Sequence, residues 1–504
     1  MLYFNRIRNI FCVLYFVLIT SPAHASHILG GDLSYSWVSD STYKISLSIY
    51  GDCTSIPELF AMLYIDTPKI RVYDGNLLID IVDLQINSSI SGLDVTPDLC
   101  YGYVSRCSSP TSVIPGMKIF VYTRNYVLPH ASSVWRFVFG GEMATTTAAG
   151  RSNNITNILG ASTFSLTDTL NSTIGHNTNP ILDMAPPYFS INTPSVYTPA
   201  AIDAEGDSIA YDLAPATNAT SSGPPFPSVI YVSPYTAAIP IHAAAGSFSF
   251  NPVSGQLNFT PNILQCSDVV YNIREYRGGV LAGTMQREIN ALVFDDSDHT
   301  QTGVFAYPTN GIITSPTNLN VCDTMTSISL QILLADTSSI YVVKVTPSGL
   351  PAGATFNTVN DSTHNPVSTF SWNLSSVTPG TYTFFVKFKD NACPVADSRI
   401  VAYTVMFVPC DMLTSVSPVV RNTAMPFQIY PNPSNGSITI KANDIFQNAT
   451  ISIFDAAGKT VMHGNIEANI QKSSFTLDYL QTGTYTVRII SDNAVYHDKL
   501  TIDR

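Results

Sequence analysis

The sequence predicts an all-β protein built as tandem β-sandwiches and closed by a small C-terminal β-sandwich. Three observations carry this. A chain of 504 residues is too long for one core and, at about 100 to 200 residues per domain, divides into three or four units. Only 12% of the residues are charged, while Ser, Thr, Asn, Gly and Pro crowd the connecting segments, a mixture that favours short strands and turns over charged-faced helices. Apolar residues alternate with polar ones at the strand period of two wherever a turn signal is absent.

The elements follow in order. Asp32 to Trp37 and Tyr43 to Tyr50 read as strands, the second placing Tyr43, Ile45, Leu47 and Ile49 on one face. Further strands fall at Ile70 to Tyr73, Lys118 to Arg124 and Trp135 to Phe139, so residues 26–185 form a first sandwich-like domain. Ala185-Pro186-Pro187 marks a boundary, because two prolines cannot sit inside a central strand. A second unit, 186–300, holds an acidic turn from Asp203 to Asp207, a Phe250 to Leu257 hairpin, and late strands at Val269 to Glu275 and Arg287 to Phe294. A third, 301–412, repeats that grammar from Ser327 to Phe388. Residues 413–424 show no sustained period and suit a tether, which leaves 425–504 as the last unit.

The first 25 residues read as a secretory signal peptide: Arg6 and Arg8, an apolar stretch from Ile10 to Ile19, then Ala23-His24-Ala25 before the cut. A transmembrane anchor would need about 20 apolar residues, twice that run. Cys12 leaves with the leader, and seven cysteines remain. Export favours disulfides of Cys53 with Cys100 or Cys107 and of Cys322 with Cys393 or Cys410. A zinc site is the weaker alternative, since no Cys-x-x-Cys occurs. With a net charge of −12 and no basic cluster, the chain lacks the footprint that nucleic acid or anionic lipid requires.

The last eighty residues contain Phe427-Gln-Ile-Tyr-Pro431-Asn432-Pro433-Ser-Asn-Gly436, then Ile451 to Lys459 with Gly458, then Leu480-Gln-Thr-Gly483-Thr-Tyr485, and a terminal Lys499-Leu-Thr-Ile-Asp-Arg504. Together these resemble the C-terminal sorting domain of type IX secretion substrates. The resemblance implies export across the inner membrane, recognition of the module by the outer-membrane translocon and sortase machinery, and removal of the module with attachment to surface lipopolysaccharide or release. The mature start, Ser26 to Tyr35, with Tyr50-Gly-Asp-Cys53 and Arg151 to Ile158, is similar to surface proteins of gliding bacteria. Those relatives carry a different C-terminal domain, which argues against a direct motility role. The middle units resemble cadherin-like and immunoglobulin-like repeats through the acidic turn and the Phe250-Asn-Pro-Val-Ser-Gly-Gln-Leu257 hairpin.

Asp203, Glu205 and Asp207 place carboxylates at alternate positions around Gly206, where they could hold calcium, with Asp295, Asp296 and Asp298 adding charge. The competing reading is a solvated turn before a strand. No two of the mature chain's histidines stand at metal-binding spacing, and no nucleophile elbow or phosphate-cradling loop occurs. Asp-Ser or Asp-Thr followed by an apolar residue, at Asp168, Asp207 and Asp323, resembles the O-glycan acceptor pattern of these secretors. The functional expectation is a non-enzymatic surface or secreted protein for adhesion or recognition of glycans or proteins. A secreted hydrolase or carbohydrate-binding accessory and a surface-layer or filament component are the alternatives.

Overall fold

The computed structural model describes residues 26–54, 61–144, 149–160, 162–183, 187–220, 223–295, 303–308, 312–315, 317–335, 341–410, 427–442, 449–455, 460–466, 470–491 and 494–503. The leader, the tether at 413–424, Pro186, Gly458, Asp296 and Asp298 lie outside them. The described elements are almost entirely strands, and the chain divides into one unit ending at Leu413 and a second from Thr414.

In the larger unit a first pair of layers packs Ser26–Ser39, Thr42–Asp52 and Met117–Val127 against Lys69–Asp74, Trp135–Phe139 and Leu166–Leu170. Tyr43, Ile45, Leu47 and Ile49 are buried together, as the alternation predicts. Their strand pairs along its whole length with Met117–Val127, setting Leu47 opposite Tyr122 and Ile49 opposite Phe120. Facing them stand Trp135, Phe137 and Phe139.

The 186–300 segment does not stand apart as its own sandwich. Val280–Phe294 offers one edge to Gln265–Arg277. Its other edge is shared in turn by Leu166–Leu170, Ser26–Ser39 and Tyr188–Ser190. One sheet therefore runs through both expected domains. The fit depends on Gly30 and Gly31: a Cβ on either would collide with the carbonyl oxygens of Glu288 or Ser48, and Gly30 has φ +114°. A second core forms where Gln265–Arg277 and Ser208–Ala214 cover the small sheet Ser195–Tyr197, Leu257–Phe259 and Ser249–Phe250. The buried side chains of Val280–Phe294 include Arg287, Glu288 and Asn290. Arg151 forms a two-pronged pair with Glu288 at 2.6 and 2.7 Å, with Asp268 at 3.7 Å.

The third sandwich packs Gly303–Pro308, Ser327–Ala335, Val367–Asn373 and Ala354–Val359 on Ile312–Ser315, Asn318–Cys322, Ser398–Val408, Gly380–Lys389 and Lys344–Ser348. Phe370 and Trp372 alternate into its core, and Phe370 stacks on Phe384 at 4.4 Å between ring centroids.

Cys53 pairs with Cys107 and Cys322 with Cys410, which selects one partner from each expected pair of options. Cys100 and Cys393 pair with each other, Cα atoms 5.5 Å apart, so neither serves as the expected alternative within its own segment. Cys266 is free and buried. The zinc alternative falls away, since the cysteines that could act as ligands are consumed by disulfides or buried. The Cys100–Cys393 bond joins the first sandwich to the third. Lys389 to Asp98 at 2.5 Å, Lys387 to Asp183 at 2.9 Å and the Ala402 N–H to Gln256 Oε1 at 2.9 Å add to this fastening.

The C-terminal unit is a two-layer sandwich. Phe427–Tyr430, Ser437–Ala442 and Lys472–Thr476 form one sheet; Thr460–Ile466, Ala449–Phe454, Gly483–Ser491 and Ala494–Ile502 form the other. Ile438, Ile440, Ile451, Ile453, Val487 and Leu500 fill the space between. Among the described residues no helix is long and apolar enough to cross a membrane.

Candidate functional site

The acidic turn folds back on itself. Gly206 takes φ +85°, open only to residues that tolerate the left-handed region. The Asp207 N–H donates to Asp203 Oδ1 at 2.7 Å. Asp207 is then consumed by a two-pronged bond from Arg277, Nε at 2.9 Å and Nη2 at 2.6 Å. Asp203 and Asp207 converge with Glu275, and not with Glu205. Glu275 is itself buried, accepting from Asn177 Nδ2 at 2.5 Å and Asn179 Nδ2 at 3.0 Å.

This set does not fit calcium. The ion takes six to eight oxygens, whereas both Asp207 oxygens and both Glu275 oxygens already have donors, and the Arg277 guanidinium supplies the positive charge. Asp295 is exposed. The turn is thus an arginine-paired corner. Adding a chelator is expected to leave the melting midpoint unchanged, while Arg277→Ala costs about 1–3 kcal/mol, the scale of a hydrogen bond to a charged group; a chelator-dependent midpoint in calorimetry would restore the ion.

Burial sets the protonation of the acids behind the corner. Glu275 is pushed up to about 8 by burial, against the bonds from the two asparagines. Asp168 is raised by burial and then by Glu275, and Asp268 by burial and then by Glu288. An acid raised in the folded state contributes stability that is complete below its unfolded value and is lost as pH rises through the folded one. His27, lowered by burial, contributes the opposite slope, but only near and below its ordinary value. The melting midpoint is therefore expected to fall from pH 6.5 to 8, Glu275 contributing up to about 1.4 kcal/mol per pH unit; a midpoint that rises across that window would contradict the assignment.

In front of the corner lies a cleft of about 460 Å³, within the size range of small-ligand sites. Asp203, Asp207 and Ser208 form its acidic side, and Leu350, Pro351 and Phe385 an apolar wall. Thr381 and Thr383, four and two residues before Phe385 on one strand, face the same way as that ring because side chains alternate.

The acceptor-like tripeptides separate. Asp168-Thr169 lies within a sheet, Thr169 standing between Arg136 and Thr284. Ser208 and Thr324 are exposed.

In the C-terminal unit the motif residues meet across the chain. Asn432, between Pro431 and Pro433, donates from Nδ2 to the Lys499 carbonyl at 2.6 Å and accepts from the Thr501 N–H at 2.9 Å. Ser434 exchanges backbone bonds with Thr501 and Asp503. Gly436, at φ +129°, donates to Ser434 Oγ at 3.1 Å. Gly483 opens the Gly483–Ser491 strand, and Tyr485 donates its hydroxyl to the Gln481 carbonyl at 2.8 Å. Asn432→Ala removes both side-chain bonds to the last strand and is expected to cost about 1–3 kcal/mol in denaturant unfolding of that unit; an unchanged unfolding midpoint would show the tie to be idle.

Residues 428–503 match the family described as Secretion system C-terminal sorting domain. No curated protein matches the chain. Among solved structures it is similar to dimeric latent PorU from Porphyromonas gingivalis, at 13% identity over 62% of this chain and 32% of that one, TM-score 0.14. The chain thus spans about a third of that protein's length. It is also similar to the BSP domain of a biofilm associated protein, at 10% identity over 95% and 96% of the two chains, TM-score 0.14. A third likeness is to the cadherin-like domains 1 to 4 of zebrafish RET, at 11% identity over 64% and 72%, TM-score 0.14. The sorting domain marks the chain as a type IX secretion substrate, addressed through its C-terminal unit to that machinery and so to the cell surface or beyond.

Proposed function

We propose that the body of this exported chain, residues 26 to about 412, serves adhesion or recognition by binding and not by catalysis. The observation that carries this reading is the state of the convergent acids. Asp207 is held by Arg277, and Glu275 is buried under two asparagines, so neither is free to pass a proton to a substrate in the cleft. What the cleft offers is an apolar wall, hydroxyls and the Asp203 carboxyl, which accepts from the Asp207 N–H, a lining suited to holding a ligand. Fastening by Cys100–Cys393 supports the same reading, because a rigid body loses little freedom on binding. Removal of the leader after Ala25 and of the sorting unit would complete export, leaving the body attached to surface lipopolysaccharide or free.

The test is direct. Full chain is screened for retention on immobilised glycans and surface proteins and, in parallel, for hydrolysis of polysaccharide and protein panels. Saturable retention without turnover is the expected result; turnover that survives repurification and tracks the protein would replace it with the hydrolase reading.

A further inference from the structure

A second surface stands apart from the cleft. Between Leu99 and Val113 the chain leaves the first sandwich as a loop held by covalent bonds at two points, Cys100 to Cys393 and Cys107 to Cys53. The Tyr103 N–H donates to the Cys100 carbonyl at 3.0 Å, and Gly102 has φ +91°. This is a turn with glycine at its third position, the place where positive φ is needed. Tyr101 sits at the second position and protrudes, 106% exposed, with Tyr103 at 52% and Val113 at 88%.

Large exposed side chains on a mobile loop would be unremarkable, but this loop is built. Ser112 Oγ donates to the Val104 carbonyl at 2.6 Å and Ser105 Oγ to Asp94 Oδ2 at 3.0 Å. The N–H of Arg106 donates to the Ile114 carbonyl at 3.0 Å. Rigid tyrosines flanked by Ser and Gly are the composition that binding loops use, since a ring supplies contact area with few rotamers to freeze.

The charge pattern selects the partner. Arg106 is the only charged residue from 99 to 113, and its Nε is spent on the Ser112 carbonyl at 2.8 Å. Next to the loop, Lys389 and Asp98 neutralise each other. An anionic polymer or lipid surface, which needs a cluster of cations, finds a single guanidinium in this loop, and a basic segment finds the single carboxylate of Asp94, already bonded by Ser105. What remains is ring faces beside Ser108, Ser109 and Thr111, which match a molecule with C–H faces and many hydroxyls.

We infer that the disulfide-pinned loop 99–113 is a binding surface for neutral glycans, with Tyr101 and Tyr103 as its stacking platform. This rests on the recognition reading above and names its ligand class and site.

The test titrates full chain with soluble neutral glucans, mannans and galactans by calorimetry. Saturable binding to at least one is expected. The double variant Tyr101→Ala/Tyr103→Ala should weaken it about tenfold or more, the effect of truncating an aromatic anchor, with the melting midpoint unchanged because both rings are exposed. Tyr101→Phe/Tyr103→Phe should retain binding, since stacking needs the ring and not the hydroxyl, and Lys69→Ala, which opens the surface pair with Asp83, should bind as wild type. Binding undiminished by the double alanine change would overturn the loop while leaving recognition in place. Retention of proteins but of no neutral glycan would overturn the ligand class, and loss of both would overturn the recognition reading as well.

Discussion

A chain ending at residue 413 is expected to be made, to keep its fold through the body, and to remain inside the outer membrane. The sorting unit has its own core and its own two sheets, so deleting it removes the address without cutting a sheet of the body. Cell fractionation with an antibody against the body would read the outcome: full-length chain yields product at the surface or in the medium, and the truncated chain yields it in the periplasm. Truncated product in the medium would show that a second address exists in the body. Edman or mass analysis of the exported form would also locate the two cuts, with Ser26 expected as its first residue.

The largest stability effect is expected at Arg151. Its side chain is fully buried, gives two bonds to Glu288, lies 3.7 Å from Asp268, and covers the Phe164 ring at 5.5 Å. Asp268 is raised by burial and then by Glu288, which favours its neutral form beside the Arg151–Glu288 pair. Arg151→Ala would leave Glu288 as an uncompensated buried charge and cost about 3–5 kcal/mol. The paired change Arg151→Met/Glu288→Leu removes both charges and should recover much of that loss. Lys69→Ala, which opens the half-exposed pair with Asp83 at 3.1 Å, is the control and should stay within about 1 kcal/mol. Urea unfolding of the three variants decides it: equal midpoints for Arg151→Ala and Lys69→Ala would mean that the buried network carries no weight.

How much of this was legible in the chain depends on the distance between the residues involved. The face Tyr43, Ile45, Leu47 and Ile49 could be read because its period is local, and the Pro431 to Gly436 turn because its residues are adjacent. The boundary at 185 misled because prolines report a break in one strand and cannot report that Val280–Phe294 returns to pair with Ser26–Ser39. That strand is buried on both faces and carries Arg287, Glu288 and Asn290 inward, so its composition does not announce a central position. Calcium looked reasonable at Asp203, Glu205 and Asp207 because the arginine that occupies Asp207 is 70 residues away. The Cys100–Cys393 pair spans 293 residues, and nearest-neighbour reasoning about cysteines could not reach it. The exposed rings of Tyr101 and Tyr103 went unread in the sequence, since aromatics at strand spacing are more often core.

That last disulfide has a mechanical side. If the body is tethered at its C-terminal end and a partner pulls near its start, tension entering before Cys100 crosses directly to Cys393 through a covalent bond. The 293 intervening steps, which unravelled would pay out roughly 1,000 Å at the fully extended reach of a chain, carry no load, and eight of the fourteen strands in the sheet that Val280–Phe294 joins lie inside that sheltered span. A molecule that must hold on under flow would then lengthen little before its grip failed, and reducing the bond would turn a stiff link into an extensible one.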